Sequence, residues 1–207
     1  MDVQQNTPEW HALRLGKVTA SRIADVVART KSGPSASRAN YLAQLITERL
    51  TGKPVDGFKS AAMEWGTETE DEARRTYEFR TGLRIERVGF APHPSIAMSG
   101  ASPDSFVGDD GLLEIKCPNT ATHIETLLGG SIPGKYQLQM HWQMACTSRR
   151  WCDFVSFDPR LPPHLSMFVQ RIERDDAKIL ELSAAVREFL KELDETLARL
   201  ASKYGEG

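Results

Sequence analysis

Near Gly82 the hydrophobic period of the sequence changes from about 3.6 residues to 2, so a helix must give way to strands there. Ahead of that point, residues 19–29 (TASRIADVVAR) read as a helix opened by a Thr/Ser cap. The segment NYLAQLITERL, closed by Gly52, reads as a second helix, with KSGPSAS as the loop between them. A third helix, AAMEWGTETEDEARRTYEFRTG, gathers Met63, Gly66, Glu70, Ala73 and Tyr77 into one narrow arc, which puts Glu70 on an apolar face. Past it, LRIERVGFAP, IAMSGASPDSFVG and GLLEIKCP are short β-rich runs, the last two joined by Gly108-Asp109-Asp110-Gly111, and they predict a three-stranded meander. HIETLLGG and KYQLQMHWQMAC then predict helices, WCDFVSFDP and LSMFVQRIE two strands, and residues 175–203 a long closing helix. That helix carries Ile179, Leu182, Val186, Phe189, Leu193, Leu197 and Leu200 as one stripe, either a core face or a contact with a partner. Helices before, between and after strands predict an α/β (α+β) fold, a central mixed sheet flanked by helices.

The 207 residues suit one domain, with residues 1–60 as a helical N-terminal part and 61–207 as the core. No apolar run nears the roughly 18 residues of a membrane span, and the start MDVQQNTPEW lacks the basic-then-apolar order of a secretion signal, so a cytoplasmic location is expected. Cys117, Cys146 and Cys152 lack the spacing of a zinc or iron–sulfur site and read as reduced thiols. No glycine-rich phosphate fingerprint follows a strand, which leaves Rossmann and P-loop readings without support. Net charge is −2, but its distribution is uneven. Residues 1–60 carry nine Lys/Arg against five Asp/Glu, and residues 61–130 six against twelve. Such an acidic island is either a solvated face or a set of carboxylates held together by a divalent cation.

The segment with chemical content is Ser102-Pro103-Asp104 followed by Glu114-Ile115-Lys116. In a strand, Glu114 and Lys116 share a face while Ile115 points to the other. The turn at Asp109 and Asp110 folds the preceding strand back, bringing Asp104 opposite or diagonal to this pair. Asp104, Glu114 and the Ile115 carbonyl would then offer hard oxygen ligands to Mg²⁺, with Mn²⁺ as a substitute, and leave positions for a phosphate oxygen and a water. Lys116 could orient that water, a neighbouring cation lowering its pKa, and Glu70 would add a third carboxylate from the helix. On spacing alone the same residues read equally as a turn aspartate, a surface ion pair and a glutamate partnered by some arginine.

These motifs resemble those of the lambda-phage exonuclease group, the YqaJ-like viral recombinases, within the PD-(D/E)xK nucleases. The resemblance runs through EWHALRLGKVTAS, MEWGTETEDEARRTYEFRTG, ASPDSFVGDDGLLEIKCP and YQLQMHWQMA, in that order, to the strands around FDPR. It implies a PD-(D/E)xK restriction-endonuclease-like core, with Asp104, Glu114 and the Ile115 carbonyl as Mg²⁺ ligands, Lys116 as the catalytic lysine and Glu70 as a supporting carboxylate. It further implies a 5′-phosphate pocket of Arg14, Ser21, Ser102 and Gln139. Arg14 offers a planar fork, and Ser21 falls in the first turn of the expected helix, where free N–H groups favour an anion. Without the resemblance, Arg14 reads as a surface arginine, Ser21 as an ordinary cap, and Gln139, four residues before Gln143, as a solvent-facing amide.

The activity so implied is 5′→3′ digestion of one strand of linear double-stranded DNA to 5′-mononucleotides, leaving 3′ tails for phage-type recombination. Its implied partners are duplex ends, two further copies of the chain in a ring-shaped homotrimer, and a single-strand-annealing protein. Another PD-(D/E)xK endonuclease, a single-strand-specific nuclease or a non-catalytic DNA-end-binding module are the alternatives. Two positions depart from the pattern. Ser105 stands where the family has glycine, and His141 replaces a second glutamine after Gln139. The five histidines show no paired metal spacing; His11 beside Trp10 reads as a packing or DNA-contact residue, and Trp10 and Trp65 as core aromatics.

Overall fold

The computed structural model describes residues 3–31, 33–55 and 61–205. In order run α1 (Pro8–Arg14), β1 (Val18–Thr19), a 3₁₀ turn (Ala20–Arg22), α2 (Ile23–Val27), β2 (Arg29–Thr30), β3 (Gly33–Pro34) and α3 (Ala36–Thr51). Next come α4 (Ala61–Thr81), β4 (Ile85–Glu86), β5 (Ala91–Pro92), β6 (Ser99–Ala101), β7 (Ser105–Val107) and β8 (Gly111–Lys116). The chain closes with α5 (Thr120–Gly129), α6 (Gly134–Thr147), β9 (Trp151–Phe157), β10 (Met167–Glu173) and α7 (Asp176–Tyr204). None of the described helices is long and apolar enough to cross a membrane.

The central sheet has the order β10-β9-β8-β7-β4, with β8 and β9 parallel and its other pairs antiparallel. A smaller sheet, β1-β6-β5, stands apart from it, and β2 pairs with β3. The expected meander is therefore divided. The run LRIERVGFAP gives β4 to the large sheet and β5 to the small one, and the next run gives β6 to the small sheet and β7 to the large one. Ser102-Pro103-Asp104 is the crossing between sheets, and Pro103, without an N–H, suits a break between ladders.

The expected helix over 19–29 is also broken. Val18 and Thr19 pair in parallel with Ser99 and Gly100, which holds Thr19 extended (φ −111°, ψ 153°), and the 3₁₀ turn that follows has no side-chain cap. Sheet pairing here overrides helix propensity. The KSGPSAS loop contains β3 and ends in a cap, the Ser35 hydroxyl accepting from the Arg38 N–H at 3.2 Å; Ser32 lies outside the described residues. At its other end α3 stops at Gly52 in the left-handed region (φ +63°), as a glycine stop requires.

Period-two alternation on β8 sorts its side chains between two cores. Leu112 joins Phe154, Met140, Trp142 and the buried stripe of α7 on one face. Leu113 and Ile115 join Ala73 and Tyr77 of α4, with Val155 and Phe157, on the other. Glu114 thus faces α6. The α7 stripe is core from Ile179 to Leu193, whereas Leu197 is half-buried and Leu200 is exposed, because the helix outruns the body it packs on. In the α4 arc Ala73 and Tyr77 are fully buried and Glu70 is half-exposed; the Met63 side chain lies outside the described residues.

A polar strut crosses the α4 face. Buried Asp153 on β9 accepts from Arg171 Nε at 2.7 Å and Nη2 at 2.9 Å, and from the Tyr77 hydroxyl at 2.7 Å. The Arg171 guanidinium also lies 3.4 Å from the Trp151 ring centroid. The strut joins α4, β9 and β10.

Candidate active site

Where β7 has not yet begun, the edge of β8 facing it is free, and Asp104 fills the gap. The Asp104 N–H donates to the Leu113 carbonyl at 3.2 Å, and Asp104 Oδ2 accepts from the Ile115 N–H at 2.6 Å. A strand residue sends its N–H and C=O to the same neighbour, so the Ile115 carbonyl faces the Asp104 side too. On the α6 face, Glu114 is only 1% exposed. Its Oε1 is ion-paired to Lys116 Nζ and accepts from Gln139 Nε2 at 2.7 Å, and its Oε2 accepts from Gln143 Nε2 at 2.5 Å. Asp104, Glu114, Ile115 and Lys116 are therefore brought together, as strand periodicity requires.

The charges are strained in a telling way. Burial, then Glu114 and Glu70, push the Asp104 carboxyl well above the usual carboxylate range, and Lys116 opposes them. Burial by itself would lower the pKa of Lys116, but Glu114 and Asp104 outweigh it and raise the value, so the ammonium stays charged. No group of three or more His, Cys, Asp or Glu side chains among the described residues is arranged to hold a metal by itself. The donors that do converge are two carboxylates and a main-chain carbonyl. All are hard oxygens, and the mutual repulsion at Asp104 is what a cation would relieve, so this set fits Mg²⁺ or Mn²⁺ completed by water.

Glu70 is paired with Arg74, which settles the partner its sequence position called for. Arg74 also donates to Asp71 Oδ1 at 2.5 Å, to the Ser105 hydroxyl at 3.0 Å and to the Asp104 carbonyl at 3.4 Å. With Gln5, Asn6 and Arg87, the Glu70, Asp71 and Arg74 side chains border a cleft of about 240 Å³ that Asp104 also lines. Ser105 is fully buried and its hydroxyl donates to the Asp104 carbonyl at 2.6 Å. Its φ is not positive, so the freedom of a glycine is unneeded there. Ser105→Gly should lower stability by about 1 kcal/mol, because the buried Arg74 Nε–H loses its acceptor. Urea unfolding checks this; an unchanged midpoint would show the hydroxyl to be idle.

Arg14 and Ser102 are joined, Arg14 Nη1 donating to the Ser102 hydroxyl at 3.1 Å, and Trp10 Nε1 donates to the same oxygen at 3.0 Å. The Arg14 guanidinium lies 4.0 Å from the Trp10 ring centroid, so Trp10 is both core and support for the arginine. Arg14 and Ser21 line a cavity of about 260 Å³ with Lys17, Arg22, Tyr41 and Gln44. Ser21 stands in the 3₁₀ turn instead of a long helix, so the helix-dipole argument for anion binding lapses, and the positive charge comes from Arg14, Lys17 and Arg22. His11 borders this cavity and packs edge-on against Trp10. Gln139 is placed elsewhere: it is buried on Glu114, neither solvent-facing nor lining the Arg14 cavity. His141 is half-buried, and its Nδ1 has no hydrogen-bond partner among the described residues.

Sequence reasoning missed Gln143, Arg74, Lys17 and Arg22. A signal for the first existed, since Gln139 and Gln143 lie one turn apart in a helix whose Met140, Trp142, Met144 and Ala145 are all core.

The model of the YqaJ-like viral recombinase domain matches residues 9–150, which contain Arg14, Ser21, Glu70, Asp104, Glu114, Lys116 and Gln139. The chain belongs to that family. As a YqaJ-like viral recombinase domain it is similar to the alkaline exonuclease LHK-Exo from Laribacter hongkongensis. The two are 54% identical, with a TM-score of 0.89, over 95% of this chain and 97% of that one. LHK-Exo in complex with dAMP gives a TM-score of 0.90 at the same identity and coverage. A phage-related exonuclease from Haemophilus somnus 129PT, 15% identical over 89% of this chain and 96% of its own, has a TM-score of 0.71 and shares the fold. The mixed sheet flanked by helices is the expected PD-(D/E)xK architecture. Among curated proteins there is no significant match.

Proposed function

We propose that this protein is a metal-dependent 5′→3′ exodeoxyribonuclease that digests one strand of linear double-stranded DNA to 5′-mononucleotides and leaves 3′ tails for phage-type recombination. The observation that carries the reading is the meeting of Asp104, buried Glu114 and a charged Lys116 at one end of β8. Membership of the YqaJ-like family supports it, as does similarity to an alkaline exonuclease characterised with dAMP, itself a mononucleotide.

Asp104, Glu114 and the Ile115 carbonyl would hold Mg²⁺, or Mn²⁺ in its place, which when bound supplies positive charge to the phosphate and a more acidic water. Lys116 keeps its ammonium beside the reacting phosphate, where it orients the attacking water and offsets developing negative charge. Arg74 fixes Glu70 and, through the Asp104 carbonyl and Ser105, the crossing segment that carries Asp104. Arg14, steadied on Trp10, presents its fork with Ser102 and Ser21 to the 5′-phosphate, and residues 1–60 with their excess of positive charge receive the duplex end. Three copies in a ring would place those basic segments around the DNA, and a single-strand-annealing protein would take the exposed strand.

The test compares a 5′-phosphorylated linear duplex, its 5′-hydroxyl counterpart and a closed circular plasmid. In Mg²⁺ the first should release mononucleotides, the second should be slower by about tenfold or more, as expected when a charge-assisted contact is lost, and the third should survive. Chelation should stop release. A nicked or linearised plasmid would instead favour the endonuclease alternative, and equal rates at both ends would remove Arg14 from the end-binding role.

A further inference from the structure

We propose that Gln143 is a positioning residue, aiming the remaining free acceptor site of Glu114 toward Asp104. This inference deepens the nuclease reading and rests on it. An ionised carboxylate offers about four lone-pair directions, two on each oxygen. On Glu114, Oε1 is occupied twice, by Gln139 at 2.7 Å and by the Lys116 ammonium. Oε2 is occupied once, by Gln143 at 2.5 Å. The open direction is therefore on Oε2, the atom that Gln143 holds.

The two amides come from successive turns of α6 and take opposite ends of one carboxylate. Rotation of the carboxylate about its last bond would break both bonds. Gln143 is fully buried, so water cannot readily stand in for its donor. Its amide oxygen faces the Cys152 thiol at 4.0 Å, a weak donor, while its nitrogen faces Glu114. The two glutamines differ in consequence. Gln139 shares its oxygen with Lys116, which can retain that end, whereas Gln143 alone among the described side chains donates to the oxygen with room for another partner. Groups that hydrogen-bond a ligand oxygen from outside the site in this way typically change metal affinity or activity by about 10–100-fold when removed.

The experiment uses the full chain and Mn²⁺ alone as probe, titrated by calorimetry without DNA, alongside the Mg²⁺ dependence of nucleotide release from a linear duplex. In Gln143→Met the Mn²⁺ affinity should fall about tenfold and the half-saturating Mg²⁺ should rise by a similar factor, with KM for DNA unchanged. Gln139→Met should shift the metal requirement by about threefold or less, being half the loss on a logarithmic scale. Gln143→Asn, which keeps polarity but withdraws the donor by one methylene, carries the same expectation as Gln143→Met and serves if the latter fails to fold. Wild-type metal affinity in a folded Gln143 variant, or equal shifts from the two glutamines, would overturn the inference. Lys116→Ala separates the two levels. If it is inactive while Gln143 variants behave as wild type, only this inference fails; if it retains full turnover and the wild type takes up no Mn²⁺, the nuclease reading fails with it.

Discussion

Lys116→Ala should bind a 5′-phosphorylated linear duplex yet release nucleotides about 10²–10⁴-fold more slowly in Mg²⁺, the range lost when a positioned proton-handling or charge-bearing group is removed. The fold should survive the change. Lys116 ends β8, is 29% exposed, and its ammonium pairs with Glu114 and lies over the Tyr136 ring, 5.1 Å from its centroid, neither of which needs it for packing. Glu114 keeps two amide donors after the lysine is gone, so its buried carboxylate is not orphaned. Asp104→Ala should lose turnover as deeply, but with a loss of stability of about 1–2 kcal/mol, because the Ile115 N–H is left without its acceptor. Single-turnover nucleotide release, with a gel-shift measurement of DNA binding and a thermal melt on the same samples, distinguishes chemistry from folding. Turnover within tenfold of wild type in Lys116→Ala would sink the assignment of the site.

What could be read from the sequence follows from what kind of information each feature needs. The β8 residues were legible because strand alternation is local: once GLLEIKCP is a strand, Glu114 and Lys116 share a face and Ile115 does not. Asp104 was legible because the turn over Gly108–Gly111 returns the chain at once, Val107 pairing with Gly111. Gly111 itself is fixed by tertiary contact, since a Cβ there would come within 2.2 Å of the Trp151 ring, a neighbour 40 residues away that no turn rule supplies. The meander was misread for a similar reason. Two strands of the run belong to a sheet completed by Val18 and Thr19, about 80 residues earlier, and the same long-range pairing undid the helix expected over 19–29. The resemblance implies a phosphate-pocket role for Gln139, and periodicity allows equally a solvent-facing amide. Neither contains the fact that α6 packs over Glu114, to which the buried amide donates.

Arg171→Ala should destabilise the protein by about 3 kcal/mol, at the lower end of the range for breaking a buried ion pair by removing one partner. The reason is the unequal exposure of the two groups. Asp153 is 4% exposed, so without Arg171 its carboxylate keeps the Tyr77 hydroxyl as a donor and little else. The Arg171 side chain is 41% exposed. In the reverse substitution, Asp153→Asn, the guanidinium can turn to water and remain stacked on Trp151, so the cost should be smaller by about 1 kcal/mol or more. Replacing both residues should cost less than the sum of the two changes, since the second removes the charge that the first has stranded. Urea unfolding of the two single variants and the double variant measures all three quantities. Because the strut lies on the α4 face of the sheet and Glu114 on the α6 face, turnover per folded molecule should stay near wild type. Equal costs for the two single changes would show that Asp153 reaches water in solution, and a fall in turnover without a fall in stability would show that the strut holds α4, and with it Glu70, in register with the reacting groups.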